Sequence, residues 1–278
     1  MDKSQEEVKA EILSMGNELL IGRTVNTNAT WICQQLAKRG VSVVRVTMFR
    51  DVEEEAVEVI KEVLKRKPRY VFITGGLGPT FDDIQLLCVA KATGKTLVKN
   101  QEALKLVKNF YEKLGYKMNE AREKMAFLPE GAEVIPNPVG AAPGSKLEIN
   151  GTIIFSLPGV PSEMKAMMKE TILPEIEKEM KERGLELVVF AFYVWNIPES
   201  EISSLVSHLV KQYPQINFKT HPKGHEGKPK IDFQIYGFTD DPMKLMELMK
   251  EIKMQVEATF PDAKTGVIRR ADAEEPMK

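Results

Sequence analysis

The sequence of 278 residues has few histidines, few cysteines and almost no net charge, and each shortage excludes a class of function. The histidines are His208, His221 and His225, so the first 200 residues contain none. That stretch cannot by itself build a Ser-His-Asp triad, a Cys-His pair or a histidine-liganded zinc site. Chemistry there must use carboxylates, hydroxyls, backbone amides, lysine or arginine, and a metal there would be an oxygen-liganded ion such as Mg²⁺.

Cysteine usage, charge and hydropathy exclude further classes of function. Cys33 and Cys88 form no CxxC motif, and both fall in helical patterns, so we expect small core residues. A net charge of -1 argues against a partner that is a nucleic acid or an anionic membrane. The longest apolar run, 187–195, is far shorter than the ~18 residues needed to span a bilayer. The polar N-terminus, 1–7, is unlike a signal peptide, so we expect a cytoplasmic protein.

Strands and helices alternate along the first 180 residues, which predicts an α/β domain with a mainly parallel sheet. The strand patterns lie at 9–15, 41–47 and 69–74, and the helical patterns at 27–38, at 53–66 and from about Asp82. Later, Asn150-Gly151 between two strand patterns is typical of a type I′ hairpin turn. Pro161 is typical of the first position of a helix.

From about residue 185 the predicted order is strand, helix, strand, strand, helix, which is typical of a small α+β sandwich. We therefore predict a first domain at 1–180, a second at 185–265 and a tail at 266–278. The basic segment Lys219–Lys230 is interpreted as a solvated hairpin loop, with His221 and His225 as surface residues.

A glycine-rich turn, Thr74–Asp83 (TGGLGPTFDD), lies between the third strand and the third helix. Glycines let backbone N–H groups converge beside the positive end of a helix, an arrangement that suits phosphate. The turn is neither a Walker A loop nor a dinucleotide fingerprint, because it lacks Gly-Lys-Ser/Thr and a third glycine in register. Taken alone, it fits equally well an ordinary turn in which Thr80 caps the helix and Asp82 and Asp83 complement its dipole.

Polar residues at the other strand ends favour a ligand site. Glu18 follows the first strand and Asp51 the second, and ligands bind beyond the carboxyl ends of strands in an open parallel sheet. Carboxylates grouped around a phosphate loop indicate a metal-bridged phosphate. The alternative role for Asp51 is to cap the helix that follows.

The candidate residues fall into three groups. Two later turns add small residues suited to a close ligand approach, 139–144 and 157–164. The ligand-binding candidates are Gly75, Gly76, Gly78, Thr80, Asn26, Asn28, Gly144 and Gly159. The catalytic candidates are Asp83, Asp51 and Glu18, and the metal candidates are Asp82 and Asp83.

Four segments in this order resemble the N-terminal domain of the CinA family: GNELLIG with NTN, TGGLGPTFDD, GAAPG and LPGVPSEM. That domain is similar to the molybdopterin-binding fold of the MogA and gephyrin proteins. The resemblance covers roughly residues 9 to 180 and implies a three-layer α/β sandwich around a mainly parallel sheet. Residues 185–265 resemble the KH-like domain of CinA proteins, with Ile197–Glu201 at its hallmark turn.

The resemblance also implies chemistry. In molybdenum-cofactor relatives, carboxylates matching Asp51 and Asp83 are associated with pterin adenylylation, and in CinA proteins this domain is associated with metal-dependent ADP-ribose hydrolysis. Many CinA sequences have aspartate where this chain has Asn17 and Asn26. The family also implies a homo-oligomer. The nicotinamide mononucleotide deamidase domain of longer CinA proteins would follow position 265, so we do not expect that activity.

Two functions from different classes remain open. The first is hydrolysis of a nucleotide pyrophosphate such as ADP-ribose, with Mg²⁺, Mn²⁺ or Co²⁺ bridging the pyrophosphate to the carboxylates and Asp83 acting on the water. The second is binding of a pterin or nucleotide cofactor without turnover. RNA binding is the weakest interpretation, because Asn196–Glu199 stands where a GxxG loop would be.

Overall fold

The computed structural model describes residues 7–183, 186–213, 216–223, 229–239 and 241–270. Contacts within the chain divide it into two units. Of the described residues, the first unit comprises those within 7–37 and 41–179, and the second comprises those within 38–40 and 180–270. Each unit is described by itself.

The first unit alternates strands and helices as predicted. Its strands are β1 (Val8–Met15), β2 (Val41–Phe49), β3 (Tyr70–Thr74), β4 (Leu97–Lys99), β5 (Phe127–Pro129), β6 (Glu133–Ile135), β7 (Gly144–Ile149) and β8 (Thr152–Leu157). Its helices are α1 (Asn17–Leu20), α2 (Thr27–Ala37), α3 (Glu53–Arg66), α4 (Gln85–Thr93), α5 (Gln101–Lys113), α6 (Glu120–Lys124) and α7 (Pro161–Met167). A π-helical turn (Met168–Ile172) joins α7 to α8 (Leu173–Arg183), which crosses the boundary at residue 180.

Six strands form the central sheet, in the order β2-β1-β3-β8-β7-β6. The neighbours among β2, β1, β3 and β8 are parallel, whereas β7 and β6 are antiparallel additions at one edge. Asn150 and Gly151 both have positive φ, 51° and 85°, as the predicted type I′ turn between β7 and β8 requires. The mainly parallel α/β fold predicted from the sequence is confirmed.

Apolar side chains cover both faces of this sheet. On one face, residues of α3 and α4 such as Ile60 and Val89 pack against Leu13 and Ile73. On the other face, the rings of Phe72 and Phe155 stack with centroids 5.2 Å apart. The methionines at 164, 167 and 168 are fully buried.

The start of α4 differs from the prediction. The helix begins at Gln85 and not near Asp82, because residues 80–83 form a separate turn closed by Asp83 N donating to Thr80 O at 3.2 Å. Gln85 N then donates to Gly76 O at 3.1 Å. Thr80 is therefore not the cap of α4, and Asp82 lies before the helix.

The second unit is an antiparallel sheet with helices, as predicted for a small α+β domain. Its elements are β9 (Glu186–Trp195), α9 (Glu199–Gln212), β10 (Asn217–Pro222), β11 (Lys230–Thr239), α10 (Pro242–Thr259), β12 (Lys264–Thr265) and β13 (Arg269–Arg270). The strand order is β10-β11-β9-β12, and β13 also pairs with β9. Phe192 and Phe233 stack inside the core that α9 and α10 complete.

Several predictions for this unit need qualification. Arg269 and Arg270 pair with β9, so these two residues belong to the sheet and not to the expected tail. His221 is half-buried on β10, whereas His225 and the rest of 224–228 lie outside the described residues. Elsewhere, Cys88 is buried as expected, which raises the pKa of its thiol to about 12, but Cys33 is only half-buried.

Of the helices within the described residues, none combines the length and the apolar character that crossing a bilayer requires.

Gly75 is the point at which three strand ends of the first unit meet. Its φ is 98°, its N–H donates to Leu157 O at 3.1 Å, and a Cβ there would collide with the carbonyl oxygen of Met15. Only glycine combines this left-handed conformation with so close a backbone approach.

We predict that Gly75→Ala lowers the free energy of unfolding by more than Gly131→Ala does. Gly131 also has positive φ, 84°, but a Cβ there meets open space. Gly131→Ala therefore measures only the free-energy cost of placing alanine in a left-handed conformation, about 1 kcal/mol. The collision with Met15 should add about 1–3 kcal/mol at Gly75. Denaturant unfolding of the two variants measures the difference, and equal losses would contradict the close approach.

Candidate functional site

A cavity of about 600 Å³ opens at the carboxyl ends of β1, β2, β3 and β8. It lies entirely within the first unit. Its walls come from the turns after these strands, from α5 and from the loop before β7. They include Gly16, Glu18, Asp51, Gly75–Gly78, Asp82, Asp83, Phe110, Tyr111, Met125, Val139–Ala142, Pro158–Val160 and Glu163.

The glycine turn forms the floor of the cavity. Gly75 and Gly76 both have positive φ, and the fully buried Gln85 donates from Nε2 to Gly75 O and, at 3.4 Å, to Leu157 O. Within the described residues, the amides of Gly76, Leu77 and Gly78 donate to no protein acceptor. A turn with free amides next to the start of α4 is suited to an anion.

Thr80 and two aspartates form the rim of this turn. Asp83 Oδ2 accepts from Thr80 N at 2.8 Å and contacts Thr80 Oγ1 at 2.6 Å, and Asp82 Oδ1 contacts the same hydroxyl. The hydroxyl has one proton, so it cannot donate to both carboxylates at once. The bond from Thr80 lowers the pKa of Asp82, which therefore stays ionised at neutral pH.

Asp51 also lines the cavity. Its Oδ2 accepts from Asn17 N at 2.8 Å, which links the end of β2 to the start of α1. Burial raises the pKa of Asp51 most, and the charges of Glu18 and Asp82 raise it further, against the lowering effect of the Asn17 bond. The charges of Glu18 and Asp82 therefore act on the Asp51 carboxylate.

The lining of the cavity is strongly acidic. Glu18, Asp51, Asp82, Asp83 and Glu163 all contribute carboxylates, and among the described residues that line it none is a lysine, arginine or histidine. The amino group of Lys124 lies near the rim, where it donates to Thr80 O. An anionic ligand must therefore bring or recruit positive charge.

The described part of the chain holds no set of three or more His, Cys, Asp or Glu side chains grouped closely enough to bind a metal ion. The predicted metal residues, Asp82 and Asp83, meet only at the Thr80 hydroxyl.

The structure brings most of the predicted site residues together. Glu18, Asp51, Gly75, Gly76, Gly78, Asp82, Asp83 and Gly159 all line the cavity. Gly144 does not: it starts β7, where a Cβ would lie 2.5 Å from Ser156 O, so this glycine serves sheet packing. Thr80 holds the rim and is not itself part of the lining.

Asn26 and Asn28 do not line the cavity but hold neighbouring segments in place. Asn26 Nδ2 donates to Ser14 Oγ at 2.9 Å and its Oδ1 accepts from Ala29 N at 3.1 Å, so it fixes the start of α2. Asn28 Nδ2 donates to Gly159 O at 2.8 Å and holds the turn after β8 in place.

Sequence reasoning missed Gln85, Asn137, Glu163 and the apolar wall of Phe110, Tyr111 and Met125. Glu163 belongs to the turn at 157–164, which the sequence marks for its small residues, but an acidic residue in the first turn of a helix is ordinary, so its carboxylate was not singled out. A second, mainly apolar cavity of about 330 Å³ shares Gly76–Gly78, Asp83 and Met125 with the first.

A parallel α/β sheet with a ligand-sized cavity at its carboxyl edge defines the class of the first unit. Residues 11–178 match the family described as a probable molybdopterin binding domain. This match covers more than half of the chain, and the chain belongs to that family. The whole of the cavity falls within the matched residues.

Relatives of similar length match most of this chain. The chain is 42% identical to a protein of Metallosphaera sedula over 252 residues, which covers 90% of this chain and 93% of the relative. It is 44% identical to a protein of Aeropyrum pernix over 232 residues, covering 83% and 85%. The crystal structure of the protein CinA, of unknown function, from Thermoplasma acidophilum matches at 37% identity and a TM-score of 0.56, covering 62% of this chain and 98% of that one. The likeness to the CinA N-terminal domain is thus confirmed, while the KH-like character of the second unit stays a prediction.

We predict that Asp51→Asn raises the thermal stability at neutral pH. The raised pKa means that folding favours the protonated form, so this carboxyl stabilises the fold below its ordinary pKa and loses that contribution as the pH rises above it. Removing the charge should raise Tm by roughly 1–3 °C at pH 7 and have little effect at pH 3.

Glu55→Gln is the control with the opposite sign. Bonds from Arg50 lower the pKa of Glu55, so its charge stabilises the fold above its ordinary pKa. Its removal should lower Tm at pH 7. Calorimetric scans at both pH values test the pair, and a lower Tm for Asp51→Asn at pH 7 would contradict the assigned electrostatics.

Proposed function

We propose that the cavity binds a pterin or nucleotide ligand through its phosphate groups, together with a divalent cation. The observation that carries the proposal is the combination of free backbone amides on the glycine turn with an acidic lining around them. The family match to a probable molybdopterin binding domain supports the same class of ligand.

The phosphate end of the ligand would lie on the amides of Gly76, Leu77 and Gly78. Gln85 and the Leu157 carbonyl fix Gly75, which anchors the start of this turn. A Cβ at Gly78 would lie 2.5 Å from Asp83 Oδ2, so glycine allows the Asp83 carboxylate to pack directly against this turn.

A cation resolves the conflict between an anionic ligand and an acidic cavity. Asp82 and Asp83 offer two carboxylates beside one hydroxyl, and phosphate oxygens and water would complete the oxygen shell that Mg²⁺ or Mn²⁺ prefers. The bound cation would neutralise phosphate charge. The two aspartates would hold it, and Thr80 would set the position of both carboxylates.

The ring of the ligand would lie against the apolar wall. Tyr111, Met125 and Ala142 belong to one hydrophobic cluster with Leu77, and Phe110 lies next to Tyr111, with their rings 5.6 Å apart. Planar heterocycles stack well on such a surface. A ligand with a ring at one end and phosphates at the other matches this division of the cavity.

Hydrolysis of a pyrophosphate is a second candidate, and the environment of Asp51 favours it. A carboxylate with a raised pKa is a better proton acceptor near neutral pH, and Asp51 lines the cavity. In this scheme Asp51 takes a proton from a water molecule that attacks phosphorus. The sequence singled out Asp83 for this role, but Thr80 engages Asp83 Oδ2.

We predict that ADP-ribose or a nucleoside diphosphate binds at least tenfold more tightly with Mg²⁺ or Mn²⁺ than with a chelator, because the cation offsets repulsion from the lining. Asp83→Asn should remove most of that gain, whereas Glu130→Gln, at an exposed site outside the cavity, should not. Calorimetric titration measures both. Binding that is equally tight without metal would contradict the role of the cation.

For hydrolysis, we predict that ADP-ribose yields AMP and ribose 5-phosphate with Mg²⁺, Mn²⁺ or Co²⁺. Asp51→Asn should reduce kcat by about 10²-fold or more with little change in KM, the usual scale for a lost general base. Glu130→Gln is again the matched control. If none of the three ions supports turnover, the protein binds its ligand without hydrolysing it.

A further inference from the structure

Glu163 is a cavity carboxylate with a fixed orientation and no role in the phosphate end described above. It lies in the first turn of α7 and lines the cavity. Asn137 Nδ2 donates to its Oε2 at 2.7 Å, and the same amide group donates to Ala142 O at 2.9 Å. Asn137 Oδ1 accepts from Val139 N and Gly140 N, so Asn137 is itself held by the loop.

The loop packs directly against this carboxylate. A Cβ at Gly140 would collide with both oxygens of Glu163, so glycine is needed for the carboxylate to lie where it does. Among the described residues, the Asn137 side chain is the group that bonds Glu163, and Oε1 accepts from none of them. The protein thus positions a carboxylate in the cavity and leaves Oε1 and the second lone pair of Oε2 for a ligand.

The residues near Glu163 suit the ring of a ligand and not its phosphate groups. Ala141 and Ala142, in the same loop, pack with Tyr111 and Met125 in the apolar cluster. A carboxylate is an acceptor only, and its two oxygens suit two neighbouring N–H donors in one plane. A ring that lies flat on the apolar wall would present such donors along its edge.

We propose that Glu163 is the specificity residue for the ring of the ligand, and that it reads the paired N–H donors of a 2-amino-4-oxopyrimidine, the group shared by pterin and guanine. This rests on the proposed function, because it needs the phosphates at the other end of the cavity. The ring N–H and the 2-amino group would donate to the carboxylate oxygens. Adenine presents a donor beside an acceptor, N1, whose lone pair faces the carboxylate and is repelled.

The test compares diphosphates that differ only in this edge, titrated with Mg²⁺ into the full chain. GDP has both donors, IDP lacks the 2-amino group, and ADP has the acceptor. We expect GDP to bind roughly ten- to a hundredfold more tightly than ADP, with IDP between them, the usual discrimination of a paired contact. Adding 6-hydroxymethylpterin diphosphate distinguishes the sources: tighter binding than GDP assigns a pterin, and weaker binding assigns guanine.

Glu163→Gln separates recognition from structure. The glutamine keeps an oxygen for Asn137 but replaces the other acceptor with a donor, so GDP should fall to the level of IDP while ADP changes little or improves. Inorganic pyrophosphate, which needs only the phosphate end, should bind the variant as it binds the parent protein. Equal affinities for GDP and ADP in the parent protein would overturn the proposal, as would a variant that loses pyrophosphate and GDP alike. If pyrophosphate and every diphosphate fail to bind the parent protein, the proposed function itself falls.

Discussion

The convergence of backbone at Gly75 is the constraint on which the site depends. There the end of β3 approaches the Met15 carbonyl of β1 and bonds the Leu157 carbonyl of β8, so three strand ends share one point. Gln85 fixes the same point from α4 through its buried side chain. Because the turn is held from three sides, its remaining amides can face the cavity without further support. The left-handed backbone that glycine permits is what makes this arrangement possible.

The negative charge of the cavity lining is the second constraint, and it opposes the binding of an anion to the glycine turn. The free amides of the turn favour an anion, while the carboxylates around them repel one. A protein with only the amides would bind phosphate directly, and one with only the carboxylates would bind cations. Together they favour a ligand that brings both, a phosphate with its metal ion. In the proposed binding mode, the apolar wall and Glu163 would select the rest of the ligand.

Much of the fold and part of the site could be predicted from the sequence. Local patterns can be recognised in the sequence alone, and these include the βα alternation, the Asn150-Gly151 hairpin and the glycine turn. Asn137 and Glu163 meet across 26 positions, and Gln85 reaches Leu157 across 72, so only the folded chain reveals these contacts. Gly144 lies outside the cavity lining and packs against Ser156 of β8, and a glycine needed for strand packing looks the same in sequence as one needed for a ligand.

A crystal structure of the protein with a nucleoside diphosphate and Mn²⁺ tests the central claim most directly, because the anomalous signal of manganese locates the cation without ambiguity. The account predicts a manganese peak about 2.2 Å from carboxylate oxygens of Asp82 or Asp83. It also predicts phosphate oxygens within hydrogen-bond distance of the amides of Gly76–Gly78. A diphosphate bound away from this turn, or bound on it with no manganese beside the two aspartates, would contradict the account.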